Sequence, residues 1–172
     1  AVSRVAYTIG DTVYTRETFA SFPDQVIAVR LKADKPGALS FHARLTSPLR
    51  HETSSAAGRL VMRGIAPEQV RPNYFATDNP IVYGEPGDTD AMSFEGRLAA
   101  VAEGGRVTID HNGIHVIGAA EAVLYFSAAT SFNGFDRVPG QDGKDPGPIA
   151  ERHIEGALAA GYGKLLEAHV GD

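Results

Sequence analysis

The sequence predicts a mainly β fold, an antiparallel super-β-sandwich segment that leaves through C-terminal linker helices. Two observations predict it. As far as Thr130, apolar residues recur at every second position in short runs cut by turn residues. Only past Pro148 does the spacing change to three and four. Strands first and helix last place residues 1–147 in a β-sandwich segment and residues 148–172 in the start of a helical linker.

The elements follow in order. Val5, Tyr7 and Ile9 alternate with polar neighbours, Gly10-Asp11 turns the chain, and Val13, Tyr14 and Phe19 resume the pattern, which gives a hairpin. Gln25 to Ala33 is a strand with Val26, Ala28, Arg30 and Lys32 on one face and Ile27, Val29 and Leu31 on the other. Lys35-Pro36-Gly37 turns it toward Leu39, Phe41, Ala43 and Leu45, so these two strands are expected as antiparallel neighbours. Arg59 to Ile65 reads as a further strand. Ala66 to Asp90, broken by Pro67, Pro72, Asn73, Asn79, Pro80, Pro86 and Gly87, reads as a long loop and a contact surface, because loops of that length are rare in compact domains without a function.

Met92 to Val101 alternates again and Gly104-Gly105 turns it. Val107 to Asp110 then runs into Asn112-Gly113, a strong hairpin signal that pairs His111 with Ile114 and His115 with Asp110. Glu121 to Thr130 is apolar on both faces and short, as a strand at a sheet centre is. Past Pro148, Ile154, Leu158, Tyr162 and Leu165 form a helical stripe, with Gly156, Gly161 and Gly163 read as breaks.

Composition narrows the partners. The chain has 172 residues, 16 Lys+Arg against 21 Asp+Glu and a net charge of −5. Without a Lys/Arg cluster it offers no footprint for a phosphate backbone, and no apolar run approaches the ~20 residues of a membrane span, so neither nucleic acid nor membrane is expected as a partner. Zero cysteines remove disulfides, thiolate metal sites and Cys nucleophiles together. The beginning AVSRVAYTIG has neither an initiator Met nor signal-peptide regions and reads as cut from a longer chain.

Catalytic signatures are missing from the text. There is no G-x-S-x-G elbow, and Gly156, Gly161 and Lys164 fail the phosphate-loop pattern, since Leu165 stands where a hydroxyl is required. His42, His51, His153 and His169 are far apart, and His111 with His115 at a hairpin tip lacks a third ligand, so no metal or cofactor is expected. The most unusual text is Thr130 to Pro146, TSFNGFDRVPGQDGKDP, which follows the central strand. Its polar groups at the end of a core strand fit a binding loop. Residue chemistry alone favours a structured loop whose Asp and Asn cap turns.

That loop, with TVYTRETFASFPDQVIAVRLKADKPGALSF over Thr12–Phe41 and RGIAP over Arg63–Pro67, resembles glycoside hydrolase family 95, the α-L-fucosidases and related α-L-galactosidases. The resemblance implies an N-terminal super-β-sandwich, a helical linker, a catalytic α/α barrel whose Glu and Asp perform inverting hydrolysis, and an extracellular or periplasmic location. None of the barrel residues maps onto this chain, so the resemblance assigns it no catalytic residue. It implies instead a domain that supports the barrel, with Asn133, Phe135, Asp136, Lys144 and Asp145 at the rim of the sugar site. The partners it implies are the rest of the parent enzyme and, through it, fucosylated or galactosylated glycans.

The family's opening blocks, similar to LPLGNGRLGAMVFG and NEDTLW, do not appear here. The first strands of the sandwich are therefore expected to be missing, leaving edges and a terminal stripe that favour a homodimer or a companion fragment. A freestanding carbohydrate-binding sandwich is the alternative. The absence of Trp weighs against it, because such modules stack aromatic rings on sugars.

Overall fold

A computed structural model describes residues 1–85 and 87–172; Pro86, one of the breakers expected in the long loop, lies outside the described residues. The chain forms β1 (Ser3–Ile9), β2 (Thr12–Ser21), β3 (Val26–Ala33), β4 (Leu39–Ala43), β5 (Arg50–Ala56), β6 (Arg59–Ile65), β7 (Gln69–Val70), β8 (Ile81–Val82), β9 (Ser93–Glu103), β10 (Arg106–Asp110), β11 (Gly113–Ala119), β12 (Glu121–Thr130) and α1 (Pro146–Gly171). Seven strands make one antiparallel sheet in the order β1-β2-β3-β12-β9-β6-β5, three make a second in the order β10-β11-β4, and β7-β8 is a short ribbon.

Alternation along β12 explains the layering. Val123 and Tyr125 face α1 together with Phe19, Val26 and Ala99, and there meet Ile154, Ala157 and Leu165. The opposite residues, Ala122, Leu124 and Phe126, face the three-stranded sheet with Leu60 and Leu98 and meet Ile114 and Val116. Two cores therefore share one sheet, and its central strand needs no polar face. The Ser127 hydroxyl, buried, donates to the Ala150 carbonyl at 2.8 Å and fastens helix to sheet.

The structure corrects four local expectations. β3 and β4 are not neighbours: β2 and β12 already occupy both edges of β3, so the chain crosses through a turn, Ala38 N to Lys35 O, and β4 joins the second sheet beside β11. The β10–β11 hairpin turns one residue earlier, with Asp110 opposite Gly113 and Thr108 opposite His115. Asp110 Oδ1 accepts from the backbone N–H of Asn112 at 2.7 Å and of Gly113 at 3.2 Å, which fixes that turn, and the register it sets keeps Ile114 in the core.

The third correction concerns the helix. It starts at Pro146, where Asp145 caps it by accepting from Gly147 N at 2.9 Å, and it is continuous through Gly156 and Gly163. Only Gly161 breaks it, with φ 75° and ψ 164°. Fourth, the stripe is not orphaned: Ile154 and Leu165 are fully buried on this chain's own sheet, with Leu158 and Tyr162 half-buried beside them. The helix supplies the second layer that its face of the sheet needs, which removes the reason for a dimer through this stripe. Among its described residues the long loop is mostly irregular, as expected, relieved by the β7–β8 ribbon and a bridge between Glu85 and Asp88.

Candidate functional site: a closed loop beside a cleft

The segment between β12 and α1 is tied at its base. Ser131 N donates to Ser93 O at 2.9 Å, the Ser131 hydroxyl accepts from Ser93 N at 3.0 Å, and Lys144 N donates to Ser131 O at 3.0 Å. Asn133 Nδ2 crosses the loop to Asp142 O at 2.9 Å, and Gln141 Nε2 reaches Asp90 Oδ1 at 2.5 Å. Two glycines make this closure possible: a Cβ on Gly140 would strike the Thr89 carbonyl, and one on Gly143 the Pro139 and Ser131 carbonyls. The loop is an ordered structure built on the end of the large sheet.

Between this loop, Glu85, residues 87–91 and the ends of β5 and β6 lies a cleft of about 880 Å³. Lys144 and Asp145 line it, opposite Arg50, Glu52 and Arg63. The other sequence candidates do not enter it. Asn133 braces the loop, while Phe135 and Asp136 stand on its outer tip, Phe135 wholly exposed and Asp136 Oδ2 4.0 Å from Arg137 Nε. Asp145 divides its role, because one carboxylate oxygen caps α1. The structured-loop account therefore describes Asn133 and Asp145.

Beneath the cleft sits an ionic network missed in the sequence. The buried Glu95 carboxylate accepts from Arg97 Nε at 2.5 Å and from Arg63 Nε at 2.6 Å. Glu151 of α1 joins Arg97 and lies 3.1 Å from Arg59 Nε. The Glu95 hydrogen bond and charge hold the Arg63 guanidinium above its already high ordinary value against a smaller cost of burial. Period-two spacing of Arg59 and Arg63 on β6 and of Glu95 and Arg97 on β9 was the available signal. Each oxygen of Glu95 accepts from an arginine, so this buried carboxylate ties β6 to β9 and acts as a brace.

The histidines separate into two settings. His42 and His115, opposite each other across β4 and β11, stack at 4.1 Å, and His115 Nε2 lies 3.6 Å from Asp110 Oδ2. Backbone N–H donors from Asn112 and then Gly113, with the neighbouring imidazoles, hold the Asp110 carboxyl below its ordinary value against a small cost of burial. His153 is pushed down by burial and by Arg152, and its Nδ1 is buried without a partner. Among the described residues, no three His, Asp or Glu side chains are placed to hold a metal ion.

The chain matches known proteins over most of its length. The family model described as glycosyl hydrolase family 65, N-terminal domain, matches residues 1–134. Alpha-L-fucosidase 2 of Arabidopsis thaliana is 33% identical over 181 aligned residues, which cover 100% of this chain and 21% of that protein. The chain thus spans about a fifth of this relative's length. The strand-rich sandwich with a helix on one face is thus similar along its whole length to a part of alpha-L-fucosidase 2, and the chain belongs to the family described as glycosyl hydrolase family 65, N-terminal domain.

Proposed function

We propose that this chain is the non-catalytic N-terminal sandwich of a family-95-like glycoside hydrolase of the α-L-fucosidase type. In this reading it supports a separate catalytic barrel and lends the Asn133–Asp145 loop to the rim of the sugar site. The observation that carries the reading is the alignment to alpha-L-fucosidase 2 across the whole chain. The blocks at Thr12–Phe41, Arg63–Pro67 and 128–146 give the same direction.

The structure supplies a physical reason for a supporting role. The charged groups of the ionic network, of which Arg63 also lines the cleft, are paired with one another: Glu95 with Arg63 and Arg97, Glu151 with Arg97 and Arg59. Lys144 and Asp145 line the cleft together with Arg50, Glu52 and Glu85, where they can position a ligand held by another domain. The test is an aryl α-L-fucoside assay on the 172-residue chain and on the parent enzyme. The chain alone should release no sugar and the parent should turn over, with Lys144→Ala in the parent raising KM more than it lowers kcat. Turnover by the repurified chain alone, or a parent inactive on every fucoside and galactoside, would overturn the reading.

A further inference from the structure

Among the described residues six aromatic side chains are exposed, and five of them sit on loops that leave from one end of the large sheet. Ser21 pairs with Val26, Ile27 with Phe126, Thr130 with Phe94, and Ser93 with Ile65, so the β2–β3 turn, the loop after β12 and the loop after β6 leave from the same end. Phe22 is 73% exposed, Tyr74 85% and Phe135 98%, with Phe75 and Phe132 about half exposed. The exposed aromatic elsewhere, Tyr7, is stacked on Tyr14.

Each of the three most exposed rings belongs to a hydrogen-bonded turn. Gln25 N donates to Phe22 O at 3.3 Å, Phe75 N to Pro72 O at 2.9 Å, and Arg137 N to Gly134 O at 3.4 Å. These turns hold Phe22, Tyr74 and Phe135 outward, so the ordering cost of presenting the rings falls on folding and not on binding. Three strand spacings separate β3 from β6, about 14 Å, which sets the width over which the loops emerge.

We propose that this end of the domain binds neutral oligosaccharides, with Phe22, Tyr74 and Phe135 stacking on the apolar faces of pyranose rings. A protein partner would call for a continuous apolar core, whereas here the rings are separated by polar residues, Asp24, Asn73 and Asp136 among them. A pyranose presents that same mixture, an apolar C–H face rimmed by hydroxyls. The basic groups at these turns are single, Arg71 over the Phe75 ring and Arg137 beside Asp136, which favours a neutral over a polyanionic glycan. The choice of sugar as ligand class rests on the glycoside-hydrolase reading above; the platform itself rests on the turns.

The test is a titration of the isotopically labelled 172-residue chain with 2′-fucosyllactose and, separately, cellohexaose, followed by amide chemical shifts. Shifts should concentrate at residues 22–25, 72–75 and 134–137 for at least one sugar. Phe135→Ala and Tyr74→Ala should each weaken binding roughly two- to tenfold, while Tyr7→Ala leaves it unchanged. No response to either sugar, shifts centred on the Lys144 cleft, or affinity indifferent to the loop rings would overturn the proposal. So would a solution mass showing the rings covered by a second copy. Hydrolysis enters none of these readouts, so the parent-enzyme assay fails or succeeds independently.

Discussion

The Tyr162 hydroxyl donates to the Glu17 carboxylate at 3.2 Å, joining the helix beyond its Gly161 kink to strand β2 across 145 residues of chain. Arg30 of β3 completes the contact: it pairs with Glu17, and its guanidinium lies over the Tyr162 ring, 4.4 Å from the centroid. Phe19 meets the same ring edge-on at 5.5 Å. The second half of α1 is thus held by polar contacts at its side as well as by Leu165 beneath.

Stability should fall with acid through this contact. Burial opposes ionisation of Glu17, but hydrogen bonding and charge from Arg30, with smaller help from Tyr162 and Arg4, outweigh it and hold the carboxyl below its ordinary 4.5. A carboxylate depressed on folding contributes its stability above the unfolded value and loses it as pH falls through the folded one. Urea midpoints of the native chain should therefore drop steeply below about pH 4.5. Glu17→Gln should start lower at pH 7 and show a shallower acid slope, and Tyr162→Phe should cost about 0.5–1.5 kcal/mol. Parallel acid profiles for native chain and Glu17→Gln would assign the slope elsewhere.

Glycine substitutions should have opposite signs at two places. Gly140→Ala drives a methyl into the Thr89 carbonyl and should destabilise by about 1–3 kcal/mol, releasing the Gln141–Asp90 contact and loosening amide protection from Ser131 to Lys144. Gly156 lies within the helix with open space where its Cβ would point, so Gly156→Ala should stabilise by about 0.5–1 kcal/mol. Thermal unfolding and hydrogen exchange measure both. Equal effects at the two sites would contradict the packing described for the loop.

The helix packing has its own test. Ile154→Ala and Leu165→Ala should each cost about 2–5 kcal/mol, since both side chains are fully buried in the core shared with Phe19 and Tyr125. Leu158→Glu, at a half-buried site, should cost less and leave the solution mass unchanged. A drop in mass on Leu158→Glu would reinstate the stripe as an interface between copies.

What was legible in the sequence follows from what local pattern encodes. Glu121 to Thr130 carries apolar residues at both parities, and only a strand covered on two sides tolerates that, so β12 was readable as the sheet centre. The separation of β3 from β4 was not readable, because a short turn at Lys35-Pro36-Gly37 serves a hairpin and a sheet crossing alike, and the choice depends on which strand edges are free. The stacking of His42 on His115 depends on the β4–β11 register, which shifts between Val116 and Ala119. In the loop, residue types marked the place, but only the fold sorts them: Lys144 and Asp145 face the cleft, Asn133 braces, and Phe135 points to solvent.

The place of β12 in the large sheet also sets an order of events in time. β3, complete by Ala33, waits for a partner that begins at Glu121, while β5, β6 and β9 assemble on the far side of the same gap. A chain emerging from its N-terminus holds two half-sheets with facing open edges until β12 arrives to join them. Closure of so long a separation is entropically slow, and the open edges of β3 and β9 are the surfaces a nascent chain must keep from pairing with other molecules.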